Sequence, residues 1–367
     1  MMGTSNGFQM IRTIDIKNFR CFQHLRIENC APINVIVGDN GSGKTALLEA
    51  LFLALGATSE LGVRFRQQRG FEGAFNGPPR KIEEAIWRDF FYNREWGKTL
   101  AIELSGDGPE ARSVRIYRGA SQLSIPFGED SQKSEQLSGG VAITWKDANG
   151  VERTARPTVS TSGAKFEGTE EDLPDFFYFA ANQMPSSNEN AGRFSELSRA
   201  GRASEFKKII TNEYDWIDDL SIEVAAGAPI IYATLKGNEE KIPLPNISGG
   251  INRIIGIMLS IASRSRSVVI VDEMEDGIYY KHHESLWRAL LSLARGYITQ
   301  LFVTTHSEEW LKALVKATKG DTNDIALWRM ERDEQGKPEL LQFDGEALTA
   351  GIKHNVEVRG DADGTDG

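Results

Sequence analysis

Residues 38–45 read Gly-Asp-Asn-Gly-Ser-Gly-Lys-Thr and fill every fixed position of the pattern G-x-x-x-x-G-K-[ST]. The apolar run Ile33-Asn34-Val35-Ile36-Val37 comes before it and reads as a buried parallel strand. Ala46 to Leu55 follows with strong helix propensity. Strand, glycine loop and helix in this order turn the pattern into a physical site. Glycines let backbone N–H groups close round a phosphate chain, and the helix N-terminus adds partial positive charge. Gly38, Asp39, Asn40, Gly41, Ser42 and Gly43 form the cradle, with Lys44 reaching the β- and γ-phosphates and the Thr45 hydroxyl ligating Mg²⁺. The chain therefore reads as an α/β P-loop protein that binds a nucleoside triphosphate.

Far downstream, the β-branched run Ser267-Val268-Val269-Ile270-Val271 ends in Asp272-Glu273. Such a run suits a central strand of a parallel sheet. Asp272 at its end would hold Mg²⁺, and Glu273 would act as general base or orient the attacking water. Just upstream, Ile247-Ser248-Gly249-Gly250 opens an apolar helical stretch, Ile251 to Ala262. A small polar-glycine turn at a helix N-terminus is a second anion site.

These parts, in this order, resemble the ATP-binding-cassette ATPases. Ser248-Gly249-Gly250 corresponds to their signature motif and Phe302-Val303-Thr304-Thr305-His306-Ser307 to their switch-histidine loop, which implies a catalytic role for His306 beside Lys44 and Glu273. The opening stretch Ile14-Asp15-Ile16-Lys17-Asn18-Phe19-Arg20-Cys21-Phe22 resembles the first strand of the SMC, RecF and OLD branch. Asp272 to Ile278, Thr304 to Ser307 and Ala347 to Arg359 look like the stand-alone AAA-family ATPases related to OLD proteins. One departure stands out: the family usually carries a His after the Gly277-Ile278 pair, and Tyr279 stands here. The resemblance implies ATP and Mg²⁺ as cofactors and ATP hydrolysis as the activity. It also implies a head-to-tail dimer in which Ser248, Gly249 and Gly250 of one copy close over the γ-phosphate bound by the other. Arg20 is a candidate for stacking on the nucleobase, with a structural ion pair as the equal alternative.

A second glycine pair, in Leu137-Ser138-Gly139-Gly140, spells the transporter signature more closely, but an alternating strand, Val141 to Asp147, follows it. Without a helix N-terminus the turn has no anion affinity. Gln183, after the apolar segment Phe177 to Ala181, is read either as a contact to a Mg²⁺-bound water or as a plain loop glutamine. His282 and His283 are adjacent on a predicted helix, point about 100° apart, and are read as surface residues. Trp87, Trp96, Trp287 and Trp310 are read as core or interface anchors.

Residues 1–9 and 359–367 read as a disordered leader and an acidic tail around two halves of an ABC-type head, 10–60 and 246–358. Between them, 61–245 reads as an inserted β-rich and helical lobe, in which Leu61 to Arg80 is expected to be a mobile loop and Ile222 to Leu235 a hairpin. Heptads are absent, so the coiled-coil arms of SMC proteins are not expected. The two cysteines cannot make a disulfide framework or a four-ligand zinc site, no run of about 18 apolar residues occurs, and the expected setting is cytoplasmic.

Net charge is −10, which disfavours generic polyanion binding, although two arginine-lysine groups, 64–69 and 193–208, are either solvated helix faces or local patches for nucleic acid. About 60 residues follow His306, too few for a further nuclease fold of ordinary domain size. The expected role is a nucleotide-controlled dimeric switch working with a separate TOPRIM-like nuclease in anti-phage defence. The alternative is a RecF-like repair ATPase that binds DNA directly.

Overall fold

The computed structural model describes residues 10–56, 60–69, 77–119, 122–124, 136–138, 140–160, 163–165, 173–181 and 183–353. The leader 1–9, the tail 359–367, Asn182 and Gly139 lie outside the described residues. Two compact units share the chain: residues 1–30, 40–174 and 330–340 make the first, and 31–39, 175–329 and 341–367 the second.

The first unit is built on an antiparallel six-stranded sheet, in the order Phe22–Ile27, Ile11–Phe19, Leu100–Gly106, Arg112–Arg118, Val141–Lys146, Glu152–Ala155. Alternation puts Ile14 and Ile16 inside and Asp15 and Lys17 toward water, the period-two pattern of a half-buried sheet. The helix Lys44–Gly56 packs on this sheet and is apolar almost all round, so nearly all its residues are buried. Four rings, Phe52, Phe65, Phe90 and Trp87, form a chain with centroid distances of 5.3, 5.4 and 5.7 Å.

Phe65 explains one departure from expectation. Residues 61–68, read as the start of a mobile loop, form the helix Leu61–Gln68. Phe65 anchors it among those rings, Arg66 donates to the Ala85 carbonyl, and Arg69 pairs with Glu49. The glycine-rich stretch beside it concealed a single apolar anchor.

The second unit holds a parallel sheet ordered Phe176–Phe179, Val268–Val271, Gln300–Thr304, Ile33–Gly38, continued by Ile325–Arg332 and Pro338–Asp344. The middle three strands are buried along their length, as expected for a sheet covered on both faces. The helices Gly249–Ser263, His283–Tyr297 and Glu308–Thr318 supply Ile254, Met258, Trp287, Leu290 and Trp310 to its core. The helices Ser187–Arg199 and Ala203–Glu213 and the hairpin Ile217–Ala225 with Ala228–Leu235 join the same core. The hairpin turns at Ala226-Gly227, both with positive φ.

The stretch 61–245, read as one inserted lobe, is thus divided between the two units. Its first strands pair onto Ile11–Phe19, while Phe176–Phe179 pairs with Val268–Val271. Among the described residues no helix is longer than 15 residues, and none is long and apolar enough to cross a membrane.

Candidate active site

In the first unit, the loop 40–43 leads into the helix that starts at Lys44, where the Leu47 N–H bonds to the Gly43 carbonyl at 3.0 Å. Gly43 has φ +119°, and a Cβ there would lie 3.1 Å from Cys21 Sγ and from the Phe22 ring. The backbone angle selects glycine, and a side chain there would also press on Cys21 and the Phe22 ring. At Gly41, with φ +80°, a Cβ would meet nothing within 4 Å, so the backbone angle alone selects glycine there. Arg332 clasps the loop, with Nε and Nη2 donating to the Gly41 carbonyl at 3.1 and 2.6 Å. Ser42 is buried and its Oγ has no hydrogen-bond partner. A buried hydroxyl in this state beside an open glycine turn fits a triphosphate oxygen.

Arg20 has a structural role in this unit. Its Nε pairs with Glu49 Oε2 at 3.1 Å, Nη1 donates to the Asp89 carbonyl, and the guanidinium stacks 4.5 Å from the Phe90 ring centroid. Glu49, buried in the P-loop helix, also takes Arg69 Nε on Oε1 at 2.7 Å. Of the two readings offered for Arg20, the ion pair is the one the structure shows.

In the second unit the carboxyl ends of four parallel strands lie side by side, the place where open α/β sheets bind ligands. Ile36 stands opposite Thr304, Val303 opposite Val271, and Val271 opposite Phe179. Gly38 and Asp39, the first residues of the loop, leave the sheet here, as do Asp272, His306 and Gln183. Asp272 is buried, and its Oδ1 accepts a 2.6 Å hydrogen bond from Thr304 Oγ1. The same hydroxyl accepts the Glu273 N–H at 2.8 Å. Glu273 has φ +51°, left-handed for a residue with a side chain, so its carboxylate direction is set by how its peptides are held. Mg²⁺ is commonly held by a carboxylate together with substrate phosphates, and the buried carboxylate of Asp272 has the chemistry for that role in this unit. No group of three or more His, Cys, Asp or Glu that could hold a metal occurs among the described residues.

The helix Gly249–Ser263 is capped by Ser248, whose side chain accepts the Ile251 N–H. A Cβ on Gly250 would overlap the carbonyl of Gly277, so the turn packs backbone to backbone on the loop that follows Glu273. A Cβ on Gly249 would meet only the flexible end of Met184, at 2.7 Å. His306 has an exposed ring whose Nδ1 lies 3.2 Å from Glu275 Oε1, and its backbone N–H bonds to that oxygen. Gln183 is exposed and bonds through its N–H to the Ala180 carbonyl.

The rejected glycine pair at 139–140 leads into the strand Val141–Lys146, as expected, with Gly140 against Glu83. His283, read as a surface residue, is buried, its ring edge-on to Trp310 at 4.5 Å and its Nε2 3.2 Å from the Ile278 carbonyl. Thr304, Glu275, Arg332 and Arg253 were not singled out from sequence. Arg253 did carry a signal, as the only charged residue in a mostly apolar helix.

A family model described as an AAA domain matches residues 13–224, more than half of the chain. The chain belongs to the AAA-domain family. A second model, an AAA ATPase domain, matches residues 167–310 of this AAA-domain protein. A Helicobacter pylori protein described as an ATP/GTP phosphatase is 21% identical over 355 residues, covering 89% of this chain and 94% of that protein. The structural maintenance of chromosomes protein 6 of Dictyostelium discoideum is 46% identical over 134 residues, 35% of this chain but only 11% of that protein. RecF proteins match over shorter stretches. Among solved structures, an SmcHead bound to the C-winged helix domain of ScpA aligns with TM-score 0.51 and 10% identity, covering 92% of this chain and 98% of that one. This AAA-domain protein is an ATPase with the α/β fold of an SMC head.

Proposed function

We propose that the chain is a nucleotide-controlled switch whose site is completed by a second copy. The observation that supports this reading is a pair of glycine-led helix starts, each of the kind that suits an anion: the P-loop helix at Lys44 and the Ser248-capped helix whose Gly250 packs on the loop after Glu273. Lys44 contacts the β- and γ-phosphates. Glu273 takes the proton of the attacking water and His306 faces the transferred phosphoryl group. Thr45 and Asp272 would hold Mg²⁺, which neutralises charge on the phosphate oxygens. Ser248, Gly249 and Gly250 of one copy close over the γ-phosphate held by the other, so ATP joins the copies and hydrolysis releases them.

By its resemblance to OLD-related ATPases, the output is control of a separate TOPRIM-like nuclease in anti-phage defence. RecF relatives give the second reading, in which DNA itself is the partner.

Sizing and single-turnover hydrolysis test the switch together. Glu273→Gln with ATP is expected to elute as a dimer and to turn over poorly. Lys44→Ala is expected to lose turnover, with a charge-assisted contact worth ~1.5–3 kcal/mol removed from the phosphates. Adding Gly249→Asp to Glu273→Gln is expected to keep the protein monomeric, because a carboxylate then faces a phosphate. A monomeric Glu273→Gln protein saturated with ATP would overturn the shared site.

A further inference from the structure

The acid pair is held from two sides. From one side Thr304 Oγ1 accepts the Glu273 N–H at 2.8 Å and donates to Asp272 Oδ1 at 2.6 Å. From the other comes Arg253, on the signature helix five residues after Ser248 and 2% exposed. Its Nη2 donates to the Asp272 carbonyl and, at 3.4 Å, to the Glu273 carbonyl, while Nη1 donates to the Ala180 carbonyl at 2.9 Å. One guanidinium thus spans the ends of two neighbouring parallel strands, Phe176–Phe179 and Val268–Val271. The carboxylates of Asp272, Glu273, Glu275 and Asp276 surround it in charge.

Arginine suits this position because its planar fork can serve several carbonyls in a fixed geometry, which a lysine ammonium cannot do. Its placement has a further consequence. A left-handed residue such as Glu273 persists only where its surroundings determine its backbone. The Asp276 and Met274 N–H groups hold this turn locally, at 3.2 Å to the Glu273 carbonyl and 3.0 Å to the Thr304 carbonyl, and a further restraint comes from a side chain anchored on the helix that Ser248 caps. A shift or rotation of that helix moves Arg253, and through the Asp272 and Glu273 carbonyls it re-aims the Glu273 carboxylate.

We propose that Arg253 is a positioning residue for hydrolysis, which makes the placement of Glu273 depend on the position of the signature helix. The proposal rests on Glu273 acting on the attacking water. Arg253 need not touch nucleotide: it acts through Glu273.

Arg253→Met and Arg253→Lys are compared with the parent protein, each alone and with Glu273→Gln added. The readouts are thermal melting, binding of a fluorescent ATP analogue, KM and single-turnover hydrolysis. Arg253→Met is expected to lower the hydrolysis rate about 10–100-fold, the usual effect of losing an orienting contact, with analogue affinity and KM within about twofold. Arg253→Lys should recover part of the rate. In the Glu273→Gln background neither change should slow hydrolysis further, since a residue acting through Glu273 has nothing left to position. If Arg253→Met does not fold, the lysine variant carries the same comparison. A folded variant with the parent rate, or an equal loss of rate in both backgrounds, would overturn the proposal. Parent-like hydrolysis by Glu273→Gln alone would instead overturn the assignment of the base, so the two failures are told apart.

Discussion

Arg20 shows why an arginine in a nucleotide-site motif need not touch nucleotide. Its charge is spent on Glu49 and its flat face on Phe90. Removing Arg20 leaves the buried Glu49 with Arg69 alone, so the cost stays below the about 3–5 kcal/mol of a buried charge left with no partner. Arg20→Ala should therefore lower the denaturation midpoint and leave KM for ATP nearly unchanged. Denaturant unfolding beside steady-state kinetics checks this, and a rise in KM without loss of stability would restore the base-stacking role. His283 makes a prediction about pH. Burial lowers its pKa below the ordinary 6.5, against the Ile278 carbonyl and the Glu275 and Glu309 charges, which raise it. The unfolded chain then binds this proton more readily than the folded one. The stability contributed by a neutral His283 is complete above about pH 6.5 and is lost as the pH falls through the folded value. Thermal melts of the parent should fall more steeply over that acid window than those of His283→Gln. Parallel curves would show that the ring does not contribute.

At the scale of elements, the glycine turn after Ser248 depends on a contact between two backbones. Gly250→Ala drives a methyl group into the Gly277 carbonyl and must push the two loops apart, an overpacking cost of about 1–3 kcal/mol. Gly249→Ala displaces only the end of Met184. ATPase assays and melts of the two variants should show Gly250→Ala as the more damaging in both, and the reverse order would place the turn differently. The strand-loop-helix of the P-loop, the Val268–Val271 strand with its acids and the capped helix at Ser248 were legible because each is local: a period, a cap or a fixed spacing. The helix Leu61–Gln68 was not, because its only strong local signal was Phe65. The clamp on Glu273 was not legible either. It joins residues 180, 253, 272 and 304, brought together by strand order, and a single sequence does not state strand order.

For the whole molecule, a net charge of −10 sets the default toward polyanions. Nonspecific DNA affinity should be no better than the weak end of the ordinary range, about 10⁻⁴ M at physiological salt, and should fall steeply as salt rises. Fluorescence anisotropy with single- and double-stranded DNA, with and without ATP, measures it. Tight binding that resists salt would shift the reading from a nuclease regulator toward a RecF-like repair role. Cleavage of DNA by the purified chain alone, lost on mutation of Asp272, would remove the need for a separate nuclease.

The clasp of Arg332 on the Gly41 carbonyl spans 291 positions of chain. The strand Ile33–Gly38 likewise takes its parallel neighbour from residues 300–304. On the ribosome, at about 5–20 residues per second, the phosphate loop therefore waits on the order of tens of seconds for the groups that shape it. Through that interval an apolar strand destined to be covered on both faces has no sheet to join. A nascent chain halted before residue 300 should not retain ATP, and should be a client for chaperones. Loading with nucleotide then becomes a report that synthesis has passed residue 332.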